Sequence, residues 1–155
     1  MYKLKGLLFF ITVLFVSCNS NSVYNEFNSD FDSNRWNSNE EVTFEFNTEN
    51  DIKVSSIKLH IGHIYDFQFS NVPMEVTIIS PNGSSETINL DVIIKDETGK
   101  DLADCIGDIC DLYVPIKNKT TLIKGNYKFV VENKFSSPFL PNILGIGILK
   151  YFAKS

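Results

Sequence analysis

The chain has 155 residues, with 14 basic and 19 acidic side chains and a formal net charge of −5 at pH 7. This length is sufficient for one domain with a substantial hydrophobic core. The acidic balance argues against nucleic acid and anionic lipid headgroups as partners, because both are themselves negatively charged.

The first eighteen residues have the layout of a bacterial export signal. Lys3 and Lys5 precede an apolar run from Leu7 to Val16, and a small residue comes directly before Cys18. Ten residues of helix rise only about 15 Å, roughly half the hydrocarbon thickness of a bilayer, so the run is too short for a permanent membrane span. We therefore predict that residues 1–17 form a signal peptide that is removed, which changes the net charge to −7.

Cys18 is predicted to become the first residue of the mature protein. A cysteine after a small residue at the end of an apolar run resembles the lipobox of bacterial lipoproteins, in which the thiol is acylated before cleavage. The alternative is an ordinary signal peptide and a soluble periplasmic protein, which leaves Cys18 without a role. Because each buried methylene contributes roughly 0.8 kcal/mol, the several acyl chains of a bacterial lipoprotein predict firm attachment to a membrane.

Residues 18–39 are predicted to form a tether that continues into an arm docked on the domain. The stretch is rich in Asn and Ser, but four single aromatic residues interrupt it, and fully flexible linkers seldom contain so many. A first edge strand is expected at Tyr24–Phe27. The domain itself is assigned to residues 40–155.

From residue 40 onward, apolar and polar residues alternate in about eight runs. This period of two is typical of strands that bury one face, and the intervening turns with Gly and Asn favour antiparallel pairing. No window after Cys18 has a sustained helical period, so we predict an all-β, antiparallel β-sandwich or jelly-roll-like fold. In one run, the rings of Tyr65, Phe67 and Phe69 are expected on one strand face, where they fill the core. The runs begin at Val42, Ile57, Tyr65, Met74, Ile88, Leu112, Tyr127 and Leu144.

The two histidines, His60 and His63, are predicted to be polar residues on the outside or the rim of the domain. On a strand, a separation of three places them on opposite faces, so they cannot share one metal ion. No recognisable nucleophile-elbow motif accompanies either of them, so a catalytic triad is not indicated. We expect neither enzymatic activity nor a cofactor.

The segment from Asp101 to Asp111 combines aspartates with a pair of cysteines. Cys105 and Cys110 have the spacing of a small disulfide loop around Gly107, and an oxidising compartment favours that bond. The aspartates indicate a partner-binding loop or a calcium site, although their spacing differs from that of an EF-hand, and a paired-carboxylate acid/base centre is a third interpretation. The four aspartates are Asp101, Asp104, Asp108 and Asp111.

The order of several short motifs resembles that of the gliding-motility lipoprotein GldH family of Bacteroidetes-type bacteria. The likeness runs from about Val23 to Tyr151, and its weight lies in the combination of the motifs, since each one is a short turn or strand. The matching pieces are the lipobox at Cys18, Val23-Tyr24, Trp36, Val42-Thr43-Phe44, His63 to Asn71, Ser80-Pro81-Asn82-Gly83, Leu102-Ala103-Asp104, Gly107, Gly125 to Phe129, and Leu140 to Gly147.

This resemblance implies a non-enzymatic lipoprotein needed for gliding over surfaces, which works with other gliding lipoproteins and the type IX secretion and motor apparatus. Cys18, as the lipid attachment site, is the one functional residue that it assigns. Surface-exposed lipoproteins of these bacteria tend to have acidic residues directly after the cysteine, whereas residues 19–22 have none, so we expect the domain to face the periplasm. The alternative is a glycan-binding lipoprotein of a nutrient-uptake system, with Trp36, Tyr24 or Tyr113 as a stacking surface.

Overall fold

A computed structural model describes residues 23–152, so the predicted signal peptide and Cys18 lie outside the described residues. None of the helical segments in this range could span a lipid bilayer. Between residues 23 and 152, one 3-10 turn, Asp32–Asn34, accompanies the strands. The strands are β1 Val23–Asn28, β2 Arg35–Asn37, β3 Glu41–Thr48, β4 Ile52–Ile64, β5 Asn71–Ile79, β6 Ser85–Ile93, β7 Asp104–Ile106, β8 Ile109–Leu122, β9 Gly125–Asn133, β10 Phe139–Pro141 and β11 Ile143–Phe152.

Two antiparallel sheets pack against each other, which confirms the predicted β-sandwich. The five-stranded sheet has the order β1-β11-β4-β8-β7, and the four-stranded sheet has the order β3-β9-β5-β6. Strands β2 and β10 pair separately. Every strand pair is antiparallel, as expected where tight turns join successive strands.

The core lies between the two sheets and is built from the inward side chains of the alternating runs. In β3, Val42, Phe44 and Phe46 are buried, and each is followed by an exposed residue. In β4, Ile57 and Leu59 are fully buried. Because side chains alternate along a strand, one set from each strand meets the opposite sheet, and each such aliphatic or aromatic side chain contributes about 1.5–3 kcal/mol.

Strands from before residue 40 complete this arrangement. β1 is the edge strand of the five-stranded sheet and pairs with β11. The Trp36 ring in β2 is fully buried, and its indole N–H donates a hydrogen bond of 2.8 Å to the carbonyl of Glu40. The use of Trp36 as a sugar-stacking surface is therefore excluded.

The segment after β4 differs from the prediction. β4 ends at Ile64, and the chain reverses through Asp66, which has a φ of 54°. Phe67 is buried and Phe69 packs against the core, but Tyr65 is 59% exposed. The prediction that Tyr65 fills the core is therefore wrong, because the alternation of faces ends where the strand ends.

Candidate functional site on the outer face of the five-stranded sheet

One row of residues crosses the outer face of the five-stranded sheet, the face that points away from the core. Phe27 on β1 lies opposite Gly147 on β11, Gly147 lies opposite His60 on β4, and His60 lies opposite Tyr113 on β8. Directly opposite residues on antiparallel strands point to the same side of a sheet. The register therefore brings together three rings from distant parts of the chain.

Glycines make room for the first ring of this row. A Cβ atom at Gly145 would overlap the ring of Phe27, and one at Gly147 would lie 2.9 Å from Cδ2 of the same ring. At Gly62, on the neighbouring strand, a Cβ atom would lie 3.0 Å from its Cζ. Phe27 therefore packs directly on strand backbone, which explains why these three positions are glycine.

His60 occupies the middle of the row and is only 8% exposed. Its ring stacks on Tyr113 and contacts the ring of Phe27, with a centroid distance of 4.5 Å in both cases. Its Nε2 forms a hydrogen bond of 2.6 Å with Oδ1 of Asp111, whereas Nδ1 has no hydrogen-bond partner among the described residues. His60 therefore lies on the outer face, as predicted, but two aromatic neighbours cover it.

His63 lies on the opposite face of β4, as predicted, and its side chain enters the core. It is fully buried, its ring lies 5.1 Å from that of Phe67, and its Nδ1 lies 3.0 Å from the carbonyl oxygen of Ile64. The outward or rim position predicted for His63 is wrong, because its side chain is enclosed in the core. The two histidines cannot act on one substrate or one ion, since the sheet separates them.

Strands β7 and β8 form a hairpin at the end of the five-stranded sheet. Cys105 and Cys110 lie directly opposite each other and are joined by a disulfide. Gly107 and Asp108 form the turn, and the φ of 61° at Gly107 suits the first turn position of a two-residue hairpin. The carbonyl of Asp108 accepts a hydrogen bond of 3.0 Å from the backbone N–H of Tyr65, which ties the hairpin to the end of β4.

Two isoleucines are exposed at the end of this hairpin. Ile106 is 88% exposed and Ile109 is 56% exposed, and the two lie directly opposite each other. Adjacent large apolar side chains in contact with solvent are typical of interaction sites. Neither residue stands out in the sequence, because apolar residues beside a turn are as consistent with burial as with exposure.

The four aspartates of this segment do not form one cluster. Asp104 and Asp111 lie opposite each other on the outer face, and Asp108 lies in the turn. Asp101 precedes the hairpin, and its Oδ1 accepts a hydrogen bond of 2.9 Å from the N–H of Ala103. Within residues 23–152, no three His, Cys, Asp or Glu side chains are arranged to hold a metal ion, so the calcium interpretation gains no support there.

A buried lysine lies on the inner side of the same sheet. Lys150 on β11 lies opposite Ile57, is almost completely buried, and has its Nζ over the ring of Phe46. Burial lowers the pKa of Lys150 to about 7, and the negative charge of Glu26 acts in the opposite direction. The sequence signal for this residue was its position in the inward alternation of β11, two residues after Ile148.

Solved structures show only distant similarity to this chain. A family 35 carbohydrate-binding module from Clostridium thermocellum has a TM-score of 0.38 at 16% identity, covering 70% of this chain and 68% of that one. A CocE/NonD family hydrolase from Staphylococcus aureus has a TM-score of 0.37 at 10% identity, and the match covers 86% of this chain and 31% of the hydrolase. Dimeric latent PorU from Porphyromonas gingivalis has a TM-score of 0.34 at 10% identity, and the match covers 84% of this chain and 13% of PorU. No curated protein matches the chain. These values say nothing about function.

The family comparison covers nearly all of the described domain. A sequence model described as the GldH lipoprotein matches residues 22–149, which include strands of both sheets, the row of rings and the hairpin. This confirms the resemblance seen in the motifs, and a lipoprotein family implies a lipid-anchored location in the cell envelope. The chain belongs to the GldH lipoprotein family.

Proposed function

We propose that this protein is a non-enzymatic component of a surface-gliding apparatus, tethered to a membrane through lipid on Cys18. It works by contact with other gliding lipoproteins and with the type IX secretion and motor apparatus. The observation that carries the proposal is the match of the GldH lipoprotein family over residues 22–149. The lipobox that ends at Cys18 supports the same assignment.

The environment of the His60–Asp111 pair argues against a catalytic role for this histidine. The imidazole lies between the rings of Phe27 and Tyr113, and its Nε2 is occupied by the carboxylate of Asp111. A general base must reach the proton that it abstracts, and these two rings cover the imidazole. The pair is better suited to holding the outer face rigid.

Glycan binding has less support. Trp36 is buried, and one face of the Tyr113 ring is stacked on His60. Sugar stacking needs open, solvent-facing rings, and Tyr113 retains only part of its surface for this purpose.

Deletion of the gene, scored for both surface spreading and secretion, tests the proposal. We expect the deletion strain to stop spreading. A Cys18→Ala protein should be made and exported but should not restore spreading. A Ser20→Ala protein, altered in the same tether but with the predicted attachment site intact, should restore spreading. Normal spreading and secretion in the deletion strain would refute the gliding function and make glycan binding the working hypothesis.

The proposed orientation of the domain has its own test. Because residues 19–22 contain no acidic side chain, we propose that the domain faces the periplasm. Protease added to intact cells should leave the protein uncut, and the same protease should digest it after the outer membrane is opened. Digestion in intact cells would place the domain on the cell surface instead.

A further inference from the structure

We infer that the end of the β7–β8 hairpin inserts into an apolar pocket with a basic rim on a partner protein of the envelope. This tip surface consists of Ile106 and Ile109 together with the carboxylates of Asp104, Asp108 and Asp111. The inference rests on the proposed function and identifies the contact through which that function is exerted.

The apolar part of the tip surface is preorganised. The disulfide between Cys105 and Cys110 joins the residue pair next to Ile106 and Ile109, and the hydrogen bond from Tyr65 holds the turn. A segment that is already ordered before binding loses little conformational entropy in the complex. The hairpin therefore presents its two isoleucines in a fixed position.

The negative charge around the two isoleucines defines the chemistry of the partner. Asp104 and Asp108 form no ion pair with any described residue, and Asp111 is paired with His60. Carboxylates that border an apolar contact favour Lys and Arg on the rim of the partner. A second copy of this chain would present the same negative charge, and so would anionic lipid, so both are disfavoured.

The start of β1, where the tether joins the domain, and the tip surface lie at opposite ends of the five-stranded sheet. Only residues 19–22 separate the predicted lipid site, Cys18, from β1, and the five steps from Cys18 to Val23 reach at most about 18 Å. Val23 lies opposite Tyr151, and Tyr151 lies opposite Ser56, whereas Ile109 lies opposite Ile64, eight residues further along β4. Eight strand residues span about 26 Å. The tip surface is thus separated by about this distance from the point where the tether joins the domain.

Photocrosslinking in intact cells tests this contact with the full-length lipoprotein. A photoreactive amino acid replaces Ile106 in one strain and Ile123 in the control strain. Ile123 is 41% exposed and follows the far end of β8, at the tether end of the sheet. We expect one discrete adduct with a different protein from position 106 and none from position 123. Combining Asp104→Lys with Asp108→Lys should lower the adduct yield about tenfold, because like charges then face each other.

Several outcomes would overturn the inference. An adduct of twice the mass of the chain would show a second copy, and an adduct with lipid alone would show a membrane contact. Absence of an adduct, or a yield that the charge reversal leaves unchanged, would remove the basis for an acidic, apolar tip that binds a basic pocket.

A second experiment separates this inference from the proposed function. Ile106→Asp combined with Ile109→Asp should abolish spreading at normal protein levels, while Ile123→Asp should not. If deletion of the gene stops spreading but the double variant spreads normally, the tip surface is not the contact and the gliding function stands. If the deletion strain spreads normally, the gliding function fails, and the crosslink still decides whether the tip binds a partner.

Discussion

The ring of Phe27 occupies the space that any side chain at Gly145 would need. Gly145→Ala should therefore lower the free energy of unfolding by about 1–3 kcal/mol, the usual cost of inserting a methyl group into a packed site. Urea unfolding, followed by the fluorescence of the single tryptophan, Trp36, measures the change. A Cys18→Ala background without the signal peptide keeps the protein free of lipid for this measurement.

Two further variants test the physical cause of that effect. Gly62→Ala should cost less, because its Cβ atom would lie 3.0 Å from a single atom of the same ring. Phe27→Ala should reduce the cost of Gly145→Ala without removing it, since the backbone oxygen of Asn28 would still lie 2.8 Å from the new Cβ atom. Equal costs with and without the Phe27 ring would contradict the packing explanation.

Removal of the carboxylate of Asp111 should destabilise the outer face. Asp111→Ala leaves Nε2 of the buried His60 without its hydrogen-bond partner, which costs about 1–3 kcal/mol. Asp108→Ala in the adjacent turn is the control and should cost less than about 0.5 kcal/mol, since its side chain has no such buried partner. Urea midpoints that fall equally for both variants would show that His60 does not depend on Asp111.

Stability should rise with pH between about 7 and 10.5. Burial lowers the pKa of Lys150 from 10.5 to about 7, so in this interval the unfolded chain binds a proton that the folded chain has released. A proton bound only by the unfolded state makes folding more favourable as pH rises, by up to about 1.4 kcal/mol per pH unit for one group. Below pH 7 both states are protonated, and the folded state carries the full cost of a buried ammonium group.

Lys150→Met should flatten this pH dependence. The variant should also be more stable than the parent chain below pH 7, where the buried charge is present in the parent. Lys100→Met, at an exposed loop position, is the matched control and should keep the parent slope. Unfolding curves recorded across this pH range would contradict the assignment if the Lys150→Met slope equalled that of the control.

Reduction of the disulfide should lower the free energy of unfolding by about 2 kcal/mol. Cys105 and Cys110 are five residues apart, and a loop this short gives a correspondingly small loss of chain entropy in the unfolded state. Thermal unfolding with and without reductant measures the effect. A variant with Cys105→Ser and Cys110→Ser should show the lower stability in both conditions, and a response of that variant to reductant would point to another cause.

The alternation of apolar and polar residues predicted most of the strands correctly, because it depends only on which side of a sheet each residue faces. In β3, burial follows the letters of the sequence residue by residue, from Val42 to Phe46. Alternation failed at Tyr65, where the strand had already ended. His63 and Lys150 both continue the inward phase of their strands, two residues after Ile61 and Ile148, but their polarity favoured exposure, because a pattern that ranks residue types by polarity does not record their neighbours.

The sequence by itself determined the all-β class, the layout of an export signal and the spacing of the two cysteines in the loop, since each is a property of residues close together in the chain. Only the tertiary structure decided that Phe27, His60 and Tyr113 form one row, and that Ile106 and Ile109 remain exposed beside it. These relationships depend on the register between strands that are far apart in the chain. Local patterns specify the side of the sheet on which each side chain lies, but packing of the whole sheet decides which side chains become its neighbours there.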